Sequence, residues 1–399
     1  MARKIIKNIS PLEIKNPKQI DLLSPWNLKK ISKVECIRKS DAKKILKIAN
    51  DFFVNENLHI TKKQRIDILK KTIKLLTKNS KKFSDLIALE GGKPLKDSKV
   101  EVARAINGLE LCIDALKKCH GTEIPMSLNE ASSDKMAYTK KYPVGPVFAI
   151  SAFNHPLNLI VHQVGPAIAS GCPIIIKPAL DTPATCYEFI NLLIESGLPA
   201  GFCQMINTDD HSITEIFIKD DIIAFFSFIG SSKVGWKLKS KLSAGTKCAL
   251  EHGGIASVII DKDTNIKEVM PSIIRGAFYH AGQVCVSIQK VIVHEEIVDE
   301  FLNLMSQSIK KLKVGDPSKN TTDVGPLIRP GELERIHKLI QKSIKNGAEL
   351  VCGGKAKSKT TYECTVIKNP KPNDEINKVE IFGPVLCVYE FKGLEDAIE

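Results

Sequence analysis

From Pro146 onward short apolar strands alternate with helical stretches, and this rhythm leaves few folds open. Val147–Ser151 precedes a helix from Pro156, and Ile174–Ile176 precedes a helix ended by Gly197. Cys203–Ile206 then leads to a helix near Ile213, and Ile222–Phe228 to a helix from Ser231. A strand, a crossover helix and a further strand pack as a parallel sheet, because the right-handed crossover covers the sheet's apolar face. Such sheets bind ligands at the carboxyl ends of their strands. Past Gly254 the alternation continues with strand Val258–Ile260, helix Met270–Phe278, strand Val291–His294 and a long helix from Glu295, which reads as a second α/β domain.

The first 120 residues read as helices. Ser40 is placed to cap a segment with Ile45, Ile48 and Phe52 at helical spacing. Thr61 and Gln64 form a capping-box pattern before Ile66, Leu69, Ile73 and Leu76. Residues 121–143 are polar and serine-rich, then alternate through Met136, Tyr138, Lys140 and Tyr142, as in a projecting β-hairpin.

The net charge of +13 raises the question of nucleic acid, but the lysines are spread along polar helix faces without a basic block. The 11 cysteines include no CxxC pair, which points away from a metal site and a disulfide framework and towards reduced thiols in the cytoplasm. No apolar run approaches the roughly 18 residues of a membrane helix. The expected partner is therefore a small molecule rather than nucleic acid or membrane.

Three local features suggest chemistry. Gly282-Gln283-Val284-Cys285 places a thiol after a tight turn, where a following helix N-terminus would favour its thiolate; a buried small hydrophobe fits the same residues. In Leu250-Glu251-His252-Gly253-Gly254 a carboxylate ends a strand, either as a general base raised by burial or as a solvated loop residue. In Phe153-Asn154-His155-Pro156 the asparagine follows a strand, as an oxyanion donor or as a helix N-cap. No GxGxxG occurs, yet Phe228-Ile229-Gly230-Ser231-Ser232 ends a strand and opens a helix whose N–H groups suit a phosphate. Lys177, after Ile174–Ile176, suits a ribose hydroxyl or phosphate.

In this order these features resemble the aldehyde dehydrogenase superfamily. The resemblance also rests on Glu90-Gly91-Gly92-Lys93-Pro94, Pro143-Val144-Gly145-Pro146, Gly197-Leu198-Pro199, Val314-Gly315-Asp316-Pro317 and Glu380-Ile381-Phe382-Gly383-Pro384. It implies an α/β fold: a parallel-sheet, Rossmann-like dinucleotide domain, a second α/β catalytic domain and a β-hairpin for oligomerisation. The expected boundaries are 1–120 for the helical part of the dinucleotide domain, 121–143 for the hairpin, 144–253 for the rest of that domain and 254–399 for the catalytic domain. A homodimer or homotetramer is expected.

The resemblance implies that Cys285 attacks the aldehyde, that Asn154 and the Cys285 N–H hold the oxyanion, and that Glu251 activates the water that hydrolyses the thioester. It implies NAD or NADP as cofactor. Lys177 and Glu380 resemble a ribose-holding pair, Phe153 and Phe382 lie near the nicotinamide ribose, Gly230 and Ser231 meet the pyrophosphate, and Val234 packs near the adenine. No metal is implied.

Several positions depart from the family pattern. Phe153 replaces a usual Trp, His155 a Phe, Ile229 a Thr and His252 a Leu, and Thr208-Asp209-Asp210-His211 lacks the glycines often seen there. Leu180 stands where members that prefer NAD often carry a glutamate, which makes the 2′-phosphate of NADP more tolerable. For the aldehyde, Leu159 and His162 share a helix face and Val284 and Val286 flank the thiol. Arg104, His155 and His162 either favour a small polar or anionic aldehyde, or Arg104 pairs with Glu101 and the histidines satisfy local hydrogen bonds; the second reading is the expectation. Leu394–Ile398 opens a helix without a cap, so a chain incomplete at its C-terminus is also expected. The alternatives to hydrolytic oxidation are a CoA-acylating relative and an inactive remnant with a binding role.

Overall fold

The computed structural model describes residues 5–398. The chain opens with strands β1 (Ile5–Ile6), β2 (Lys18–Leu23) and β3 (Lys30–Cys36), which form a small sheet in the order β1-β3-β2. Helical reading of the first 120 residues is thus corrected at its start. The burial of Leu22, and of Ser32, Val34 and Cys36, follows the period of two of a strand, hidden among lysines that suit either structure.

Four helices follow: α1 (Lys39–Val54), α2 (Lys62–Lys78), α3 (Ser80–Gly91) and α4 (Leu95–Lys118). Ser40 lies inside α1 rather than capping it; the Asp41 carboxylate accepts the Arg38 N–H at 2.9 Å instead. The Thr61–Gln64 capping box forms as the sequence implies, and such caps contribute about 1 kcal/mol. Strands β4 (Glu123–Ile124) and β5 (Ala137–Tyr138) pair antiparallel as a short hairpin.

The first large sheet alternates β6 (Val147–Ile150), α5 (Asn158–Ser170), β7 (Ile174–Lys177), α6 (Pro183–Glu195), β8 (Cys203–Met205), α7 (His211–Ile218), β9 (Phe225–Ile229), α8 (Ser232–Lys239) and β10 (Lys247–Glu251). All its pairings are parallel, in the order β10-β9-β6-β7-β8. Helices cover both faces, so the strands are apolar on both. Phe148, Ile175 and Phe226 are buried on one side, and Ala149, Ile174 and Ile176 on the other. Each large side chain among them contributes roughly 1.5–3 kcal/mol.

The second sheet contains β11 (Ala256–Ile260), α9 (Ile266–Phe278), β12 (Ile288–His294), α10 (Val298–Lys310), α11 (Pro330–Lys345), β13 (Glu349–Cys352), β14 (Thr365–Lys368), α12 (Glu375–Lys378), β15 (Val385–Phe391) and α13 (Leu394–Ile398). Its order is β11-β12-β15-β14-β13, parallel except for β13 against β14. No described helix is long and apolar enough to cross a membrane.

The first sheet fixes where a ligand can sit. From β6 the chain winds outward to β8, then returns to the other side of β6 for β9. Loops leaving β6 and β9 therefore diverge, which opens a crevice at the carboxyl ends of those two strands.

Candidate active site

Four loops meet around this crevice. The segment after β6 carries Phe153, Asn154 and His155. It does not enter its helix at Pro156, since α5 begins at Asn158 with Leu157 as its N-cap. Asn154 is accordingly no cap residue. It is 4% exposed, and its Nδ2 donates to the Gln283 carbonyl at 2.9 Å. This bond joins the first sheet to the segment that carries Cys285. An amide nitrogen has two N–H groups, so one remains for a ligand.

Cys285 lies in a turn between Gly282 and β12, not at a helix N-terminus. The approach to it is strained. His280 and Ala281 adopt left-handed φ values of 49° and 56°, followed by Gly282 at 69°. Such backbone costs on the order of 1–3 kcal/mol per non-glycine residue and persists only where its surroundings enforce it. Gln283 does so here. Its side-chain N–H groups go to the His280 and Pro326 carbonyls, and its Oε1 accepts the Ile328 N–H at 2.9 Å.

The expectation of a favoured thiolate is also corrected. Burial pushes the Cys285 thiol up, the Glu251 and Glu380 carboxylates push it further, and the N–H groups of Cys285 and Val286 only partly oppose them. Alkylation of Cys285 therefore has its pH midpoint above the ordinary cysteine range. Glu251→Gln removes one negative charge and moves that midpoint to lower pH. Iodoacetamide rates against pH, followed by peptide mass analysis at Cys285, check both; an unmoved midpoint would contradict the proximity of the two groups.

Glu251 ends β10, and its carbonyl accepts the Gly230 N–H at 3.1 Å. Its side chain is exposed, and the solvated alternative describes its surroundings. Its charge is still felt by both Cys285 and His162. Glu380 lies against the next turn: a Cβ on Gly253 would sit 2.0 Å from its Oε2, so only glycine admits this approach. Burial raises the Glu380 carboxyl, and its Oε1 has no hydrogen-bond partner. Gln289 supports this segment by accepting the Ile381 N–H at 2.8 Å and donating to the Val379 carbonyl at 2.9 Å. Phe382, at φ 49°, meets Phe153 edge-on with ring centroids 5.9 Å apart.

Lys177 ends β7, three strands from Glu251 in the sheet order, a separation of about 14 Å at ordinary strand spacing. Lys177 therefore lies well apart from the Gly253 turn against which Glu380 packs. Burial pushes the Lys177 ammonium down, and it has no side-chain partner among the described residues. Gly230 and Ser231 lead into α8, with Ser231 at the N-cap and its hydroxyl not spent on capping. Val234, 45% exposed, lies one turn further.

A second group gathers His155, His162 and Arg104, whose charge both histidines feel, with half-buried Leu159 one turn before His162 on α5. The expected Arg104–Glu101 pair is absent, because Glu101 is fully buried and binds Lys93 instead. Neither histidine ring makes a hydrogen bond among the described residues, which also corrects the expectation for them. His155 stacks on Tyr279 at 6.1 Å, and burial holds its pKa well below the usual histidine range, with Lys93, His280, Arg104 and His162 adding to the shift. Burial and Arg104 also lower His162, against Glu251. Val284 is half-buried, whereas Val286 is 72% exposed.

Gln283, Gln289, Glu101 and Tyr279 were not singled out as site residues from the sequence. Gln283 was visible inside the GQVC motif, but the others carry no local signal, since their roles depend on contacts far along the chain.

The family model described as "Aldehyde dehydrogenase family" matches residues 13–399. The 3-sulfolactaldehyde dehydrogenase of Priestia megaterium is 32% identical over 95% of this chain and 79% of its own length. The lactaldehyde dehydrogenase of Methanococcus aeolicus is 34% identical over 96% of this chain and 81% of its own length. The crystal structure of glyceraldehyde-3-phosphate dehydrogenase GapN from Methanocaldococcus jannaschii, complexed with NADP, superimposes with a TM-score of 0.89 at 31% identity, covering 96% of this chain and 82% of the other. A strained turn presenting a thiol, beside a crevice at the switch point of a parallel sheet, therefore belongs with a match along nearly the entire sequence: the chain is a member of the aldehyde dehydrogenase family, an NAD(P)-dependent oxidoreductase of aldehydes.

Proposed function

We propose that Cys285 is the nucleophile, Asn154 the oxyanion donor and Glu251 the general base of this oxidation. The observation that carries the reading is the Asn154–Gln283 bond, which holds a free amide N–H beside the thiol's own turn. The Cys285 thiol loses its proton and its sulfur bonds the aldehyde carbon. The carbonyl oxygen then carries the negative charge, within reach of Asn154 and the Cys285 N–H. Loss of a hydride from that carbon to a bound nicotinamide would leave the thioester, and Glu251, facing this centre from solvent, takes a proton from the water whose attack on the thioester carbon releases the carboxylic acid and the Cys285 thiolate.

The crevice suits a dinucleotide. Lys177 offers an unpaired ammonium at one end and Glu380 a free, buried carboxylate oxygen at the other, so each serves its own ribose. Gly230 and Ser231 offer N–H groups to the pyrophosphate between them, Val234 borders the adenine side, and Phe153 and Phe382 border the nicotinamide ribose. When bound, the dinucleotide accepts the aldehyde hydride. Leu180 brings no carboxylate of its own to this end of the crevice, and Asp181, whose charge Lys177 feels, is paired with Arg329, which favours NADP. The test is a nicotinamide absorbance assay with small aldehydes, NAD and NADP in parallel, and CoA added or omitted. Turnover independent of CoA supports hydrolysis; turnover only with CoA would sink the role given to Glu251.

The aldehyde is an anionic one. Arg104 is exposed, has no carboxylate partner among the described residues, and supplies the positive charge on the substrate side, where the charged forms of His155 and His162 are disfavoured. Leu159, Val284 and Val286 line the same approach with apolar surface. The similarity to enzymes named for 3-sulfolactaldehyde and glyceraldehyde-3-phosphate supports this class. Arg104→Ala is expected to lower kcat/KM for glyceraldehyde 3-phosphate roughly 10–100-fold, the value of a charge-assisted hydrogen bond, and to leave propanal within about threefold. Equal effects on both substrates would count against it.

The hairpin exposes Leu128, Met136, Tyr138 and Tyr142 by 73–86%. This apolar surface supports a homodimer or homotetramer, which light scattering on the purified chain would test. Eleven free thiols suit the cytoplasm.

A further inference from the structure

The motif Glu90-Gly91-Gly92-Lys93-Pro94 touches no reacting group, yet it is buried beneath both loops that do. Glu90 and Lys93 are each 0% exposed. Neither α5 nor α6 supplies a side-chain cap for its own N-terminus. Carboxylates from outside do it instead. Glu90 accepts the Ala184 and Thr185 N–H groups at 2.8 Å, at the start of α6. Glu101, on α4, accepts the Leu157 and Asn158 N–H groups at 2.9 and 3.2 Å, at the start of α5.

The second cap carries a counter-charge. The other Glu101 oxygen binds the Lys93 ammonium, and both side chains are fully buried. Lys93 sits 5.9 Å from the centroid of the Tyr279 ring, and its charge is felt by His155 and His280. The pair therefore abuts two things at once: the loop that ends at α5 and the strained turn that leads to Cys285. Its backbone is fixed too. Gly92 turns at φ 68°, where an added Cβ would fall 2.8 Å from Pro326 and 2.9 Å from Pro25. A Cβ on Gly91 would lie 3.9 Å from the Phe153 carbonyl oxygen, so α3 ends directly against the Asn154 loop.

We propose that the buried Lys93–Glu101 pair is a positioning unit for the oxyanion donor: Glu101 pins the first N–H groups of α5, and thereby sets where Asn154 stands relative to Cys285. Lys93 and Glu101 act through Asn154 and contact no substrate. The proposal rests on the reading of Asn154 given above.

Two double substitutions separate the pinning from the mere presence of an ion pair. Lys93→Met with Glu101→Gln removes both charges but keeps an oxygen for the Leu157 and Asn158 N–H groups. Lys93→Met with Glu101→Met removes that oxygen as well. Replacing a buried ion pair by apolar side chains of similar volume is often neutral for folding, so both enzymes are expected to fold. The Met/Gln enzyme should keep kcat within about fivefold, whereas the Met/Met enzyme should lose about 10²-fold in kcat, with KM for the dinucleotide within about twofold, as for an active group misplaced by about an ångström.

The Met/Met change is then repeated in an Asn154→Ala background. There it should cost less than about threefold, because residues acting through one group are not additive. Equal kcat for the two double substitutions, or equal Met/Met losses in both backgrounds, would overturn the proposal while leaving Asn154 as the donor. A Met/Met enzyme that does not fold would overturn it too, since the pair would then hold the fold rather than the loop. Asn154→Ala with an unchanged kcat would remove the oxyanion assignment and the proposal together.

Discussion

Cys285→Ala is expected to lower turnover by about 10⁵-fold or more, as loss of a nucleophile does when no other group can form the covalent intermediate. The effect should be confined to chemistry. Cys285 is one of eleven free thiols, but only its turn is joined to Asn154 through Gln283 and faced by two carboxylates. The others lack that setting: burial pushes Cys203, Cys364 and Cys387 up to about 12. Lys177, Gly230, Ser231 and Glu380 belong to other segments and all remain in place when the thiol is removed, so dinucleotide binding, followed by reduced-nicotinamide fluorescence, should remain within about threefold of the parent. Turnover near that of the parent would remove Cys285 from the mechanism.

Glu251→Gln should separate the two halves of the reaction. The first half needs the thiol and the oxyanion donor, and loss of Glu251 even favours the thiolate by removing a nearby negative charge. The second half needs a base for water, and losing a positioned base typically costs about 10²–10⁴-fold. A stopped-flow trace should therefore show a burst of nicotinamide reduction close to one equivalent per active site, followed by a steady rate lower by that factor. An unchanged steady rate would exclude Glu251 as the base. Because its side chain is exposed, the substitution should leave stability within about 0.5 kcal/mol, so a loss of folding cannot imitate the result.

Much of this organisation was legible in the sequence where local pattern and tertiary structure agree. The strand–helix alternation after Pro146 marked four of the five strands of the first sheet to within a few residues, because buried parallel strands are apolar on both faces; the fifth, β10, is half exposed and only its end at Glu251 was marked. The Thr61–Gln64 cap was readable for the same local reason. Strands β2 and β3 were not, since their solvent faces are lysine-rich and only alternate residues are buried. Cys285, Glu251 and Asn154 could be picked out by motif, but their surroundings could not. The sequence suggested a helix dipole for Cys285 and burial for Glu251, whereas the fold supplies a strained turn and solvent. The Arg104–Glu101 pair looked reasonable at helical spacing; Lys93, eight residues before Glu101 and in the preceding turn, takes that carboxylate instead, in a pair that is fully buried. Long-range pairings of this kind decide which charges are spent and which remain for substrate.

The central claim is that an acyl group passes through Cys285, and the most direct measurement is to trap it. Glu251→Gln enzyme is mixed with an anionic aldehyde and oxidised dinucleotide, quenched in acid after the burst, and examined by intact and peptide mass spectrometry. The account predicts one acyl group per chain, on the peptide containing Cys285, absent when dinucleotide is omitted. A full burst with no adduct, or an adduct on a different cysteine, would contradict it.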